Sequence, residues 1–330
     1  MISVIICHHM GSLILNCLES IKKSKNAEYE IIVVTSDKSI EKFENADRTV
    51  YSPYGPAYKR NVGYRFASGD SIAFFDDDTE LDCDSLYHLE KVLNNEESTG
   101  MVFGKLLNME RRNRFDEAGS FLTPTGFLYA RAESGLIDKG QFEEVCPVLS
   151  GKSAACMIKR KVFWKCGMFD ASFEILGEET DLSWRVWLLG YQVLYIPQSI
   201  TFHAFNTKFK PLNFYSLERI YFNGCKNYLI MLIKNLETRN LRFALMFQYA
   251  TWILSAFGMF LTGKFKAGSY IFKALSHVSF RKESILHARK EVQKNRVKTD
   301  KELFKFIMKN PPISYYFNRF IRYIQVGLHG

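Results

Sequence analysis

The sequence predicts an α/β fold with a mainly parallel central sheet and helices on both faces, followed by a helical, basic C-terminal region. First, short apolar runs typical of buried strands alternate with helix-like segments through the front of the chain. Second, the composition, 47% hydrophobic and 24% charged, is that of a globular protein. Third, residues 1–205 carry 22 basic and 29 acidic side chains, whereas residues 206–330 carry 22 and 6. We therefore expect two regions, 1–205 and 206–330.

The first hundred residues contain three apolar runs with the length of buried strands, and each is followed by a helical pattern or by turn residues. The strands are ISVIIC (2–7), EIIVVT (30–35) and SIAFF (71–75). The predicted helices begin around Leu13, within the loop YSPYGPAYKRNVG (51–63), and at DSLYHLEKVLNN with Asp84 as N-cap. Strand–helix–strand alternation favours parallel pairing, because a crossover helix returns the chain to the same edge of the sheet.

The strand–helix alternation is weaker from Met101 to Leu149 and then resumes. SAACMIK predicts a strand followed by a short helix, EETDLSWRVWLLGY predicts a helix that ends at Gly190, and QVLYIP predicts a strand that stops at Pro197. The apolar start lacks a preceding basic stretch, so we interpret it as a strand and not as a signal peptide. Seven scattered cysteines without a C-x-x-C pair predict reduced thiols in the cytosol.

The C-terminal region is expected to be helical over 214–236 and over 281–310, the latter folding back onto the front domain. Between them, residues 243–262 carry no charge over a length that can cross a membrane. Basic residues flank this segment on both sides, so the positive-inside rule favours neither orientation. We expect a helix on the membrane surface with its basic neighbours on anionic headgroups; a membrane span and a soluble helical hairpin are the alternatives. Nucleic acid is disfavoured, because no nucleic-acid-binding module is present.

Three consecutive carboxylates, Asp76, Asp77 and Asp78, follow the third predicted strand. Ligands of open α/β sheets bind beyond the carboxyl ends of the strands. In an extended chain Asp76 and Asp78 project to one side and Asp77 to the other. Two carboxylates on one side suit Mg²⁺ or Mn²⁺, which offsets their repulsion and binds a substrate diphosphate. The alternative is an acidic turn that caps the next helix.

A second acidic cluster, Glu178, Glu179 and Asp181, lies at a predicted helix N-terminus. Acidic side chains are stabilising there, and Asp181 can pair with Arg185 one turn later. The functional interpretation is a general base that removes a proton from an acceptor hydroxyl. His203 follows a strand among aromatic residues; it is either a packed core histidine or a third ligand to the same ion.

The order of these segments resembles a family 2 glycosyltransferase. The resemblance rests on GPAYKRNVGYRFASGDSIAFFDDDTEL, SGKSAACMIKRKVFWKCGMFD, GEETDLSWRVWLLGYQVLYIP and His203, and it covers residues 2–205. It implies the GT-A fold, a nucleotide-diphospho-sugar transferase fold. The subgroup resembled is the rhamnosyltransferase-like set that extends cell-surface glycans, and ERIYFNGCKNYLIMLIKN continues the likeness beyond the domain.

The resemblance also implies roles for individual residues. Asp76 and Asp78 match the D-x-D pattern that holds the ion and the sugar nucleotide, with His203 as a further ligand and Asp77 on the ribose or donor sugar. Glu179 is the nominated base, with Glu178 and Asp181 as alternatives because the family usually has Glu-Asp here. The remaining substrate-binding candidates are Asp37, Arg60, Asn61, Gly151, Lys152 and Ser153. The chain departs from the family at CHHM, after the first strand, and at TSDKS, where Asp37 is displaced.

The implied activity is transfer with inversion from a nucleotide-diphospho-sugar to a glycan or lipid-linked saccharide, with Mg²⁺ or Mn²⁺ as cofactor. The implied location is the cytosol, peripheral on the inner face of the cell membrane. Two other classes stay open: a nucleotidyltransferase-like enzyme, which also uses paired carboxylates and a metal, and a non-catalytic scaffold that binds lipid through its basic end.

Overall fold

The computed structural model describes residues 1–9, 11–204 and 217–325. The strands are β1 (Ile2–His8), β2 (Tyr29–Thr35), β3 (Arg48–Tyr51), β4 (Ser71–Asp76), β5 (Thr79–Leu81), β6 (Thr99–Asn108), β7 (Phe115–Glu117), β8 (Ser120–Leu122), β9 (Leu128–Ala130), β10 (Cys146–Pro147), β11 (Ala155–Lys159) and β12 (Gln192–His203). The helices are α1 (Leu13–Lys22), α2 (Pro56–Phe66), α3 (Ser85–Asn95), α4 (Arg160–Lys165), α5 (Glu178–Leu188), α6 (Leu217–Asn235), α7 (Thr238–Leu261), α8 (Phe265–Phe280), α9 (Lys282–Lys294), α10 (Asp300–Ile307) and α11 (Ile313–Gln325).

The central sheet has the strand order β10-β12-β6-β11-β4-β1-β2-β3. β1 pairs in parallel with β2 and β4, β2 with β3, and β6 with β12, which confirms the mainly parallel sheet. β11 runs antiparallel to both of its neighbours, so its first residue, Ala155, lies opposite Phe75 near the end of β4. The segment 151–153, just before β11, is therefore brought to the edge where Asp76–Asp78 lie.

Both faces of the sheet are covered, which explains why the strands are apolar throughout instead of alternating. On β1, Val4 and Ile6 pack with residues of α1 and α3, whereas Ile5 packs with residues of α2 on the opposite face. Side chains alternate along a strand, so each buried run supplies two cores.

The predicted strand end at Pro197 is wrong, because β12 continues through it to His203. The register with β6 shifts between Ile196 and Ile200, and this irregularity accommodates a residue that has no N–H for the ladder. The continuation is important for the site, because it places His203 opposite Thr79 of β5. The small strands β7 to β9 were also not predicted. The predicted helix end at Gly190 is confirmed by its φ of 88°.

The C-terminal helices pack on the front domain. The Val297 N–H donates to the carbonyl of Leu188 at 2.7 Å, and the rings of Trp187 and Phe306 stack 5.9 Å apart. These contacts confirm that residues 281–310 fold back. The domain boundary proposed at 205/206 and the predicted helix start at 214 lie outside the described residues, which resume at 217.

Candidate metal and donor site

The acidic triplet comprises the last residue of β4, Asp76, and the two-residue turn, Asp77 and Asp78, that joins β4 to β5. This turn is held by hydrogen bonds from the Thr79 hydroxyl to the Asp76 carbonyl at 2.8 Å and from the Ala204 N–H to the Asp78 carbonyl at 3.0 Å. As a result Asp76, Asp78 and His203 each offer a ligand atom within 4.8 Å of the others. Asp78 and His203 are buried, and Asp76 is half-buried.

His203 contacts two carboxylates and is not packed only among apolar side chains. Its Nδ1 lies 2.8 Å from Asp116 Oδ2, and its Nε2 lies 3.4 Å from Asp78 Oδ1. Burial alone would lower the pKa of His203, but Asp78 and Asp116 raise it to about 9. The site thus stabilises positive charge.

The residues fit a divalent cation. Asp76 and Asp78 offer carboxylate oxygens and His203 offers an imidazole nitrogen, and this donor set suits Mn²⁺. Imidazole ligands are more usual around Mn²⁺ than around Mg²⁺, which prefers an all-oxygen shell.

The structure places Arg60 and Asn61 differently from the nucleotide contacts that the resemblance implied. Arg60, only 2% exposed, bridges Asp76 through Nη2 at 2.8 Å and Glu178 through Nη1 at 3.0 Å. The Asn61 amide donates to the Phe169 carbonyl at 2.8 Å and accepts its N–H at 3.0 Å. Arg60 therefore connects the two acidic clusters, and Asn61 holds the loop after α4.

The three acids of the second cluster have different environments. Asp181 is fully buried and accepts hydrogen bonds from Arg185 at 3.0 Å, Lys234 at 2.9 Å and Asn235 at 3.0 Å. Its oxygens are engaged in tying α5 to α6, so its geometry does not suit a base, in contrast to its place among the sequence candidates.

Of the remaining two acids, Glu178 is paired with Arg60. Glu179 pairs with no cation in the part of the chain that the structure describes. Burial and the neighbouring Glu178 carboxylate raise the pKa of Glu179 well above its ordinary value. A carboxyl group with a raised pKa accepts a proton more readily, which is the property that a general base needs.

The segment before β11 adds a lysine to the site. Lys152 Nζ lies 2.6 Å from Asp116 Oδ1. A Cβ on Gly151 would lie 2.8 Å from the ring of Phe103, so this position has no room for a side chain. Ser153, 5% exposed, is buried next to Lys152.

Asp37 and Asp77 lie at the carboxyl ends of β2 and β4. Asp77 Oδ2 accepts the His9 N–H at 2.9 Å, while Asp37 accepts the N–H and hydroxyl of Ser39, which lowers its pKa. Their strands flank β1, so both residues belong to the same edge of the sheet as Asp76 and Asp78.

Sequence reasoning missed Asp116 and Glu117. Burial would raise the pKa of Asp116, but Lys152 and His203 lower it to about 2, whereas burial raises the pKa of Glu117 to about 7. The only sequence signal was an acidic pair before Ala118-Gly119 in a stretch of weak periodicity, which an exposed loop would show equally well.

Comparison with known proteins gives matches in sequence and in fold. Residues 3–167 match the profile of glycosyl transferase family 2. The chain is 26% identical over 162 residues to polypeptide N-acetylgalactosaminyltransferase 5 of Rattus norvegicus, a match that covers 46% of this chain and 17% of that protein. The chain therefore spans less than a fifth of the length of this curated relative.

Two solved structures share the fold at 14% identity. GalNAc-T7 with UDP, GalNAc and Mn²⁺ superimposes with a TM-score of 0.56, covering 78% of this chain and 50% of that one. S. aureus TarS 1–349 in complex with UDP-GlcNAc gives 0.54, covering 89% and 88%. At this identity the likeness concerns the fold, which is the expected GT-A fold. Since the profile covers half of the chain in addition, the protein belongs to glycosyltransferase family 2.

Proposed function

We propose that the chain is a metal-dependent, inverting glycosyltransferase that moves a sugar from a nucleotide-diphospho-sugar to a glycan or lipid-linked saccharide. The observation that carries this proposal is the convergence of Asp76, Asp78 and His203 within 4.8 Å at the carboxyl edge of the sheet. Lys152 and Glu179 supply the other groups that such a reaction needs, a cation and a base. One of the two similar structures is a complex with UDP, GalNAc and Mn²⁺ and the other is a complex with UDP-GlcNAc, which supports a sugar-nucleotide donor.

The mechanism assigns a task to each group of this chain. Asp76, Asp78 and His203 would hold the divalent ion, which supplies charge neutralisation for the departing nucleoside diphosphate. Lys152 adds a second positive charge on the donor side, and Glu179 takes the proton of the attacking acceptor hydroxyl. Attack on the face opposite the leaving group inverts the anomeric centre.

The nucleotide side is assigned to Asp37 and Asp77. Both lie at the carboxyl ends of strands next to β1, where a base and ribose would bind in an open sheet. The rhamnosyltransferase-like resemblance suggests a deoxyhexose donor, and we propose this class alongside hexoses.

Metal removal is a direct test. With EDTA we expect transfer and donor hydrolysis to fall to background, and Mn²⁺ should restore them more effectively than Mg²⁺. The assay incubates the full chain with a panel of nucleotide hexoses and deoxyhexoses and measures the released nucleotide. Release of nucleoside diphosphate distinguishes this reaction from nucleotidyl transfer, which releases pyrophosphate. Undiminished transfer in EDTA would contradict the metal role.

The surface of α7 supports a peripheral membrane location. Among the described residues, α7 alone is long and apolar enough to cross a membrane by length and composition, yet 33% of its most apolar stretch is buried. One side packs on the protein: the Gln248 amide donates to the Thr125 carbonyl at 3.2 Å, and the Trp252 side chain is buried. A helix held on one side by protein and apolar on the other suits a surface position better than a span.

The opposite side of α7 exposes a stripe at helical spacing, which α8 extends. We call this set of residues the apolar stripe: Phe243, Met246, Phe247, Leu254, Phe257, Leu261, Phe265, Phe272 and Phe280. Phe243 also lines a cavity of about 330 Å³ between α7, α10 and the β8–β9 hairpin. A surface of this apolar extent with basic neighbours suits anionic headgroups above acyl chains, and it would bring the enzyme to a lipid-linked acceptor.

Vesicle flotation tests the membrane proposal. We expect the full chain to float with anionic vesicles, and the triple variant Phe247→Ser, Leu254→Ser and Phe257→Ser to partition about tenfold less or lower, because it removes three large apolar contacts. The matched control replaces exposed apolar residues of the front domain, Leu15, Leu136 and Trp164, by serine, and it should float like wild type. Equal flotation of the two triple variants would refute the stripe as the membrane contact.

A further inference from the structure

We propose that Asp116 is a positioning residue that orients both His203 of the ion site and Lys152 of the donor side through its single carboxylate. The inference deepens the proposed function and rests on it. It assigns a role to a residue that neither the acidic triplet nor the α5 cluster contains.

Asp116 contacts two side chains, one through each of its carboxylate oxygens. Oδ2 lies 2.8 Å from His203 Nδ1, and Oδ1 lies 2.6 Å from Lys152 Nζ. The carboxylate is buried, with 3% of its side chain exposed. Each oxygen therefore contacts one side chain that can carry a positive charge, and these two side chains come from different parts of the chain.

The backbone that carries Asp116 is well anchored. β7 pairs with β6, with Leu107 opposite Phe115 and Leu106 opposite Glu117. The Phe115 N–H also donates to the Leu136 carbonyl at 2.8 Å, and the Gly135 N–H donates to the Phe115 carbonyl at 2.7 Å. A carboxylate whose backbone is hydrogen-bonded to segments on both sides is held in place, so it can orient the flexible side chains that it contacts.

The contact with Asp116 sets the orientation of the His203 ring. When Nδ1–H donates to Asp116, Nε2 faces Asp78, whose Oδ1 lies 3.4 Å away. This tautomer and ring orientation are those that let Nε2 bind an ion together with the aspartates. Carboxylate partners behind ligating histidines typically contribute about 10- to 100-fold in metal affinity.

The consequence for Lys152 is a fixed direction for its ammonium group. A lysine side chain has four rotatable bonds, so holding its ammonium group in one place costs rotamer entropy. Asp116 holds the ammonium group beside the ion site before the donor arrives. Asparagine cannot replace this function, because its amide oxygen can accept from one partner while its NH₂ group opposes the N–H of the other.

The test measures Mn²⁺ affinity by the EPR signal of free Mn²⁺ with the full chain and no donor, and donor KM in a separate assay. We expect Asp116→Asn to bind Mn²⁺ about 10- to 100-fold more weakly and to raise donor KM. Lys152→Met should raise donor KM and keep Mn²⁺ affinity, since it leaves the Asp116–His203 contact in place. The matched control Asp138→Asn removes a half-buried carboxylate outside the site, which pairs with Lys105 at 2.9 Å, and should change neither the Mn²⁺ affinity nor the donor KM.

The outcomes separate the inference from the function on which it rests. A wild-type chain without Mn²⁺ affinity would overturn the proposed metal function. Wild-type affinity with an equal affinity in Asp116→Asn would overturn only the role of Asp116. If Asp116→Asn does not fold, ¹⁵N-histidine NMR of the wild-type chain with Mg²⁺ decides: a protonated Nδ1 on His203 supports the inference, and a protonated Nε2 with a bare Nδ1 contradicts it.

Discussion

Replacement of Glu179 by glutamine is expected to lower kcat by about 10²- to 10⁴-fold, or roughly 3–5 kcal/mol of barrier, while donor affinity stays near that of wild type. The reason is the environment of this carboxyl group. Glu178 is bound to Arg60, and Asp181 is bound to Arg185, Lys234 and Asn235. Glu179 is the acid of the cluster that remains able to accept a proton, and glutamine preserves its shape without that capacity.

The pH dependence follows from the raised pKa of Glu179. A base must be deprotonated to act, so kcat/KM should increase with pH through the pKa of this group in the free enzyme. Because burial and Glu178 raise that pKa, the acid limb should lie above the range of an ordinary glutamate and should vanish in Glu179→Gln. Donor affinity is measured by titration calorimetry, and turnover by released nucleotide. Turnover near that of wild type in Glu179→Gln would assign the base elsewhere.

Asp78→Ala is expected to lose both turnover and donor binding, with activity reduced by about 10³-fold or more, because the ion contributes several kcal/mol to the stabilisation of the leaving group. Asp78 is 3% exposed and faces His203, so alanine removes a buried ligand that water cannot replace with equal charge. Mn²⁺ affinity by EPR and donor affinity by calorimetry should fall together. This joint loss distinguishes the variant from Glu179→Gln, which should keep both.

The matched control for Asp78→Ala is Asp82→Ala. Asp82 lies four residues further along, with Cys83 and Asp84, and these three residues also bring their side-chain ligand atoms within 4.8 Å of one another. Asp82 is exposed, so its removal should leave Mn²⁺ affinity and turnover unchanged. A loss in Asp82→Ala with none in Asp78→Ala would move the ion site to the start of α3.

The sequence by itself determined the elements whose signal is local. Three features are visible within short windows, because burial and turn chemistry act on neighbouring residues: the apolar runs of β1, β2 and β4, the helix end at Gly190 and the acidic triplet at the end of β4. The order of strands and helices along the chain was also enough to predict the fold, since parallel strands joined by helices bring their carboxyl ends to one edge of the sheet. The position of the acidic triplet, Asp76–Asp78, at this edge of the sheet could therefore be predicted.

Only the tertiary structure decided which of the candidate side chains face the site. Arg60 meets Glu178 across 118 residues of sequence, and His203 meets Asp116 across 87. Through such distant contacts, Arg60 is a buried bridge between the two acidic clusters and Asp181 is bonded to α6. Asp116 lies in the site although its stretch of sequence shows no clear pattern. Local periodicity records which face of an element is buried, but it holds no information on the distant partner. Charged groups depend on that partner, because a buried ion is stable only when an opposite charge or hydrogen-bond donor lies against it.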